Sequence, residues 1–312
     1  MTRPVLLYAC PTVPAEPWIV EFRRAMPEVE IRVWPDIGEP AEITHAFVWH
    51  PPRGLFARLP ALRMVFSLGA GVERLLDHAE LPPEIPLIRM VDPSLGRDMT
   101  IFVVMQALRY HRRMPEIERN QRARIWSEVD APMASDRRIG ILGYGELGRL
   151  CADSLKGFGF DLSVWSRSPR DAPGLRAFAG VAELPAFLAR SEILVCLLPL
   201  TPETAGILNA ETFAQLPQGA CLINVGRGGH LVEADFLAAL ASGRIAEATL
   251  DVFAEEPLPA DHPFWSHERI TVTPHIAALT QPRTAVSMIA VNIGRDAAGL
   301  PPLYQVDRSR GY

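Results

Sequence analysis

Ile139-Gly140-Ile141-Leu142-Gly143-Tyr144-Gly145-Glu146-Leu147-Gly148 is the stretch from which the fold can be read. Arg138 to Leu142 has the apolar character of a buried strand, and the residues from Glu146 to Phe158 alternate with helical period. Between them Gly143, Gly145 and Gly148 stand at G-x-G-x-x-G spacing. Gly143 permits a tight turn, Gly145 lets the backbone approach a pyrophosphate, and Gly148 lets helix and strand pack closely. The helix N-terminus then offers free N–H groups to an anion. Three spaced glycines alone are weak evidence and also describe a plain turn, but a strand before and a helix after supply the context that phosphate binding needs. Gly143, Tyr144, Gly145, Glu146, Leu147 and Gly148 are therefore candidate dinucleotide contacts.

The pattern continues downstream. Strands are expected at Leu162–Trp165, Glu192–Leu197, Ala220–Val225, Glu247–Asp251 and Arg269–Thr273, with helices at Glu183–Arg190, Ala210–Leu216 and Glu233–Ser242. This is the signature of a doubly wound parallel sheet. A similar series precedes it. Its expected strands are Val5–Tyr8, Glu30–Val33, Ala46–Trp49, Met64–Ser67 and Leu87–Met90, and its expected helices Glu16–Ala25, Gly54–Ala57 and Val72–His78. Pro93 to Arg97 reads as a break, followed by a long helix from Asp98, a plausible N-cap, to about Arg113, and by another from Pro115 to about Gln121. A last helix, Gln281–Ala298, follows the second series and could return to the first domain.

Composition excludes several classes of function. The 312 residues carry a net charge of −5 without a long basic run, which argues against nucleic-acid binding. Apolar runs such as Ile101–Met105 and Ile193–Leu198 are far too short to span a bilayer. No secretory leader is expected, because Pro11 and Pro14 follow the apolar Val5–Cys10 at once. Cys10, Cys151, Cys196 and Cys221 have no metal-like spacing; no metal site is expected, and they read as buried thiols of a reducing cytoplasm.

Three strand ends deliver chemistry. Asn224-Val225-Gly226-Arg227-Gly228-Gly229 puts an arginine among glycines, where a guanidinium can grip a carboxylate with two parallel hydrogen bonds. Leu250-Asp251-Val252-Phe253-Ala254-Glu255-Glu256-Pro257-Leu258-Pro259 supplies carboxylates, and Thr273-Pro274-His275-Ile276-Ala277 a histidine. A lone histidine after a strand is more often structural; one sharing an edge with a carboxylate and an arginine is a different case.

With these motifs in this order the chain resembles the D-isomer-specific 2-hydroxyacid dehydrogenases over essentially its whole length. Within that family Phe66-Ser67-Leu68-Gly69-Ala70-Gly71-Val72 and the ending Pro274-His275-Ile276-Ala277-Ala278-Leu279-Thr280-Gln281-Pro282 look most like the bacterial reductases of glyoxylate and hydroxypyruvate. The resemblance implies an α/β fold of two doubly wound parallel-sheet domains. One is a Rossmann NAD(P)-binding domain over residues 98–278, the other a discontinuous flavodoxin-like substrate domain over 1–97 and 279–312. It makes His275 the acid–base group, Glu256 its carboxylate partner and Arg227 the substrate anchor. Leu198, Pro199, Thr204, Val225 and Gly226 are expected along the dinucleotide, with Asp251 against the nicotinamide amide and Met99-Thr100 bordering the ring. Leu68, Gly69, Ala70 and Gly71 are expected to cradle the substrate carboxylate through backbone N–H groups. Trp49 reads equally as a pocket wall or as core.

The implied reaction is NADPH-dependent reduction of small 2-keto acids, glyoxylate to glycolate and hydroxypyruvate to D-glycerate, by a cytoplasmic homodimer. A larger 2-keto acid such as phenylpyruvate is the alternative within the family, and a dinucleotide-sensing binding module the alternative outside it. NADPH is expected over NADH because of Ser166-Arg167-Ser168-Pro169-Arg170. Arg167 lies 24 residues past Gly143, near where an acid binds the ribose 2′-hydroxyl in NAD enzymes. Here Ser166, Arg167, Ser168 and Arg170 can hold a 2′-phosphate instead, although Asp171 follows directly.

Overall fold

The computed structural model describes residues 3–76 and 80–308, apart from the side chain of Arg74. The chain divides into two compact units, Met1–Leu95 with Thr280–Tyr312, and Gly96–Leu279.

The first unit contains β1 (Val5–Ala9), α1 (Glu16–Ala25), β2 (Glu30–Val33), β3 (His45–Val48), β4 (Met64–Ser67), α2 (Glu73–Leu76) and β5 (Leu87–Ile88). Among the described residues its sheet is parallel throughout, in the order β2-β1-β3-β4-β5. This is the flavodoxin-like order. Alternate residues of β1 serve opposite faces. Val5, Leu7 and Ala9 join one apolar cluster, while the Tyr8 ring meets Trp18 and Phe47 on the other side.

The second unit contains most of α3 (Pro93–His111), then α4 (Met114–Ala123), β6 (Arg138–Leu142), α5 (Glu146–Lys156), β7 (Asp161–Ser166), β8 (Arg176–Ala179), α6 (Gly180–Leu188), β9 (Ile193–Cys196), α7 (Ala210–Gln215), β10 (Ala220–Asn224), α8 (Glu233–Ala241), β11 (Ile245–Leu250) and β12 (Ile270–Val272). α9 (Pro282–Ala297) belongs to the first unit. The second sheet is also parallel, ordered β12-β11-β10-β9-β6-β7-β8 among the described residues. The order reverses between β6 and β9, the switch point at which open α/β sheets bind ligands.

Both faces of this sheet are covered, which is why its strands read as unbroken apolar runs. Ile139 and Ile141, with Ile193 and Val195, enter one cluster; Leu142, with Leu194 and Cys196, enters the other. Each fully buried Leu or Ile contributes about 1.5–3 kcal/mol relative to exposure. On one face α3 is tied to β11 by a buried relay, in which the Tyr110 hydroxyl donates to Thr249 Oγ1 (2.6 Å) and Thr249 donates to Gln106 Oε1 (3.2 Å). On the other, α6 and its exit approach so closely that a Cβ on Gly140 would lie 2.1 Å from Ser191 Oγ and 3.0 Å from the Phe187 ring.

Several expectations change. Pro93 to Arg97 is not a break but the start of α3. Proline lacks an N–H that a first helical turn could not use anyway, and Asp92 rather than Asp98 accepts from the Ser94 N–H (3.1 Å). The helix expected at Gly54–Ala57 is a short 3₁₀ turn at Phe56–Arg58. β8 was not expected: it is an edge strand of four residues whose first two are exposed, so it has no apolar run to announce it. The helix expected over Val72–His78 is found as α2, and its last two residues, Asp77 and His78, lie outside the described residues.

The contact at Gly140 generates a stability prediction. Gly140→Ala should lower stability by about 1–3 kcal/mol, as overpacked cores do. Urea denaturation reads this as a lower midpoint; an unchanged midpoint would contradict the packing described.

Candidate active site

The carboxyl ends of β6, β7, β9, β10, β11 and β12 open onto one edge of the second sheet, and each is followed by a segment with candidate residues. The glycine turn after β6 has three distinct environments. Gly143 adopts φ +113°, and a Cβ there would lie 2.8 Å from the Leu197 carbonyl carbon. A Cβ on Gly148 would sit 2.0 Å from the Gly143 oxygen, so helix and turn close against each other. Around Gly145 nothing lies within 4 Å of that position, and Gly145 and Glu146 are exposed. Two glycines are thus needed for packing, and the third presents bare backbone to open space at the start of α5. That combination fits an approaching pyrophosphate. The Tyr144 ring, by contrast, is buried in the core cluster, and its N–H bonds the Trp165 carbonyl (3.1 Å).

The segment after β7 is exposed from Arg167 to Asp171. Ser166 donates to the Ser168 carbonyl (2.8 Å), which curls the loop. Its neighbour is the loop after β9. The exposed Glu203 carboxyl is held below the usual glutamate range chiefly by the Thr201 hydroxyl and its own backbone, with a contribution from the charge of Arg167. Sequence reasoning missed this acid. Within the β9 loop Leu198 is buried, and Thr204 Oγ1 donates to the Pro199 carbonyl (2.7 Å) while accepting from the Thr201 N–H (2.8 Å).

After β10, Val225 is buried and Asn224 Oδ1 accepts from the Gly226 N–H (3.3 Å). Arg227 is part-buried, and its Nη1 donates to the Gly226 carbonyl (2.7 Å). Gly228 is the tightest point of the site: a Cβ there would lie 1.8 Å from the Phe253 carbonyl carbon and 2.3 Å from the Ala254 nitrogen. The arginine turn is thereby seated directly against the turn that leads to Glu256.

Glu256 and His275 meet. His275 Nδ1 lies 2.8 Å from Glu256 Oε2, and Glu256 Oε1 accepts from the Phe253 N–H (2.9 Å). Burial works against the Glu256 carboxylate. The His275 hydrogen bond, the Phe253 N–H and the charges of His275 and Arg227 outweigh it and hold the group below the usual glutamate range. The neighbouring Glu255 is exposed. With Nδ1 engaged, the free edge of the imidazole is Nε2. His275 has φ +55°, a left-handed conformation that costs a non-glycine residue about 1–2 kcal/mol.

Asp251 holds that conformation. Its Oδ1 accepts from Thr273 Oγ1 (2.6 Å) and the Ile276 N–H (2.9 Å), and its Oδ2 from the Ala277 N–H (2.9 Å). The residue is 1% exposed, and burial raises its carboxyl pKa despite these three donors. The structure thus gives this carboxylate a second task, holding the turn that carries His275.

In the first unit the loop after β4 is part-exposed from Leu68 to Gly71. Two of its four N–H groups are committed: Leu68 donates to the Val48 carbonyl (3.0 Å) and Gly69 to Ser67 Oγ (3.2 Å). Trp49 lies over this loop. A Cβ on Gly69 would be 2.7 Å from the indole Cζ3, and the half-buried ring stacks on His50. It flanks the candidate substrate loop instead of filling the core.

Comparison with known proteins agrees with this fold. Residues 104–277 match the family model described as the NAD-binding domain of D-isomer-specific 2-hydroxyacid dehydrogenases. The chain is 43% identical to glyoxylate/hydroxypyruvate reductase A of Yersinia enterocolitica, over 98% of this chain and 99% of that protein. It is 44% identical to the protein of the same name from Serratia proteamaculans, with the same coverage. Among solved structures, a D-isomer-specific 2-hydroxyacid dehydrogenase from Xanthobacter autotrophicus in complex with NADPH superposes with a TM-score of 0.96 at 44% identity, covering 99% of this chain and 100% of that one. An NADPH-dependent glyoxylate/hydroxypyruvate reductase from Sinorhizobium meliloti in complex with NADP gives 0.94 at 37% identity, with the same coverage.

The lowered pKa of Glu256 fixes the sign of a pH effect. A carboxyl depressed on folding stabilises the protein fully above its unfolded pKa, about 4.3, and loses that contribution as pH falls through the folded value. The part of the stability difference between the wild type and Glu256→Gln that the ionised carboxylate contributes should therefore shrink as pH falls from about 5 to below roughly 4.3. Urea midpoints across that range measure it, and a difference that widened towards acid would refute the assignment.

Proposed function

We propose, for a chain that belongs to the D-isomer-specific 2-hydroxyacid dehydrogenase family, that the enzyme reduces glyoxylate and hydroxypyruvate with NADPH. The observation that carries the reading is the His275–Glu256 pair, 2.8 Å apart at the ends of strands whose sheet also presents the open Gly145 turn. The named activity of the curated relatives, at 43–44% identity over nearly the full length, supports the choice of substrates.

Bound reduced nicotinamide would supply the hydride that converts the keto carbon to an alcohol. The chain's own residues do the rest. Gly145 and the N-terminal turn of α5 would hold the pyrophosphate. Arg227 would grip the substrate carboxylate through its guanidinium, placing the carbonyl in reach of His275. As negative charge develops on the keto oxygen, protonated His275 donates the proton on Nε2 to it. Glu256, ionised and bonded to Nδ1, fixes the ring orientation and stabilises the imidazolium before transfer.

The loop Ser166–Arg170 supports NADPH over NADH, since it offers hydroxyls and guanidinium groups where an acid would repel a 2′-phosphate. Ile101 and Met105, one helical turn apart on α3, are 59% and 50% exposed, and Trp126 and Met133 are 99% and 69% exposed. This apolar surface supports a homodimer. The four free cysteines fit a reducing cytoplasm.

His275→Ala should lower kcat/KM for glyoxylate by about 10²–10⁴-fold while leaving NADPH affinity unchanged. Steady-state assays with glyoxylate, hydroxypyruvate and phenylpyruvate check both the role and the substrate; turnover equal to the wild type would sink the catalytic assignment. Arg167→Ala should raise KM for NADPH by about tenfold or more and alter that for NADH little, the loss expected for one charge-assisted phosphate contact. Equal loss with both cofactors would count against the selectivity loop.

A further inference from the structure

His230, which stood unremarked in the sequence after the Arg227 glycines, lies between the loops that follow β9 and β10. It is fully buried, at 0% exposure. Its Nδ1 lies 3.1 Å from the backbone nitrogen of Arg227, and its Nε2 lies 3.2 Å from the Pro199 carbonyl oxygen. The partners dictate the protonation state. A backbone N–H can only donate, so Nδ1 must accept and carries no proton; a carbonyl can only accept, so Nε2 carries one. The ring is a neutral Nε2–H tautomer, bridging two strand-end loops with opposite hydrogen-bond roles. The Cys196 thiol, 3.8 Å from Nδ1, is another polar group near that edge. Space for the ring is tight: a Cβ on Gly226 would lie 3.1 Å from His230 Cε1 and Nδ1, and 3.1 Å from the Leu198 carbonyl. The same Pro199 carbonyl receives the Thr204 hydroxyl, so it is fixed from two sides.

We propose that His230 is a positioning residue that locks the backbone of Arg227 to the Pro199 carbonyl, so that one imidazole sets the substrate anchor and the dinucleotide-lining loop in register. This rests on the reading of Arg227 and Pro199 given above. Histidine suits the task because its two nitrogens lie on different edges of one rigid ring. Asparagine can place an acceptor only near the Nδ1 position, and glutamine a donor only near the Nε2 position. The two amides therefore separate the two halves of the bridge.

The experiment compares wild type, His230→Asn and His230→Gln. NADPH affinity is measured by fluorescence titration without substrate, KM and kcat with glyoxylate, and the ring tautomer by ¹⁵N-histidine spectra of the wild type. His230→Asn keeps the Arg227 bond and should hold KM for glyoxylate near the wild-type value while weakening NADPH by about tenfold, the effect of one lost buried hydrogen bond. His230→Gln keeps the Pro199 bond and should do the reverse. Two variants that weaken both ligands alike, or neither, would overturn the bridge, as would an Nδ1–H ring in the spectra. If the wild type bound NADPH but reduced no 2-keto acid, the functional reading would fail, while the tautomer and the NADPH titrations would still decide the role of His230. Should His230→Asn fail to fold, the glutamine variant alone decides: an unchanged KM for glyoxylate would refute the link to Arg227.

Discussion

Both oxygens of the Asp251 carboxylate face a single turn of chain, where they take the Thr273 hydroxyl and the N–H groups of Ile276 and Ala277. Between those donors sits His275 in a left-handed backbone conformation. A histidine does not hold φ +55° for its own sake; the surrounding bonds over-determine it. Burying a carboxylate is costly, and the raised pKa of Asp251 reports that cost. The three donors offset it, and in exchange the imidazole is aimed with its Nδ1 at Glu256. The rest of the edge is built on the same principle of backbone against backbone. Gly228 abuts Phe253 and Ala254, Gly143 abuts Leu197, and Gly148 abuts Gly143. The turns at the sheet edge locate one another through contacts in which no side chain could fit, so the reactive groups inherit their spacing from the sheet rather than from flexible arms.

Much of this was legible in the sequence, for identifiable reasons. Strands of the second sheet are covered on both faces, so they appear as short unbroken apolar runs with helices between them. β6, β7, β9, β10 and β11 were located to within about two residues in this way. The reactive residues were legible because each follows such a run and stands beside glycine or proline. What was lost lay where local pattern and tertiary role diverge. β8 is an edge strand with an exposed start and no apolar signature. Pro93 looked like an interruption because the proline was read without the Asp92 carboxylate that caps the turn after it.

Within the site the same divide holds. Residue types announce chemistry, but they do not say which partner each one finds. Asp251 stood out in the sequence only as a carboxylate after a strand, and its bonds to the His275 loop could not be read from that. Tyr144 sits in the middle of the phosphate motif, yet its ring belongs to the core. In the loop after β4 the Leu68 N–H donates to the Val48 carbonyl and the Gly69 N–H to Ser67 Oγ, partners that the loop's small residues do not announce. Glu203 and His230 were not singled out at all. A glutamate in a polar loop and a histidine after two glycines carry no signal until the loops from two different strands are brought together.

The path of the chain through the two units has a consequence for biosynthesis. The first unit is interrupted after Leu95 and resumes at Thr280. Its α9 packs on α1, and Gln305 bridges to Ile88 at the end of β5. A ribosome therefore releases β1 to β5 long before the helix that completes their packing exists. The second unit, continuous from Gly96 to Leu279, is fully synthesised before α9 is. Folding during translation can thus run inside out, with the later-encoded sheet complete while the N-terminal one waits for α9.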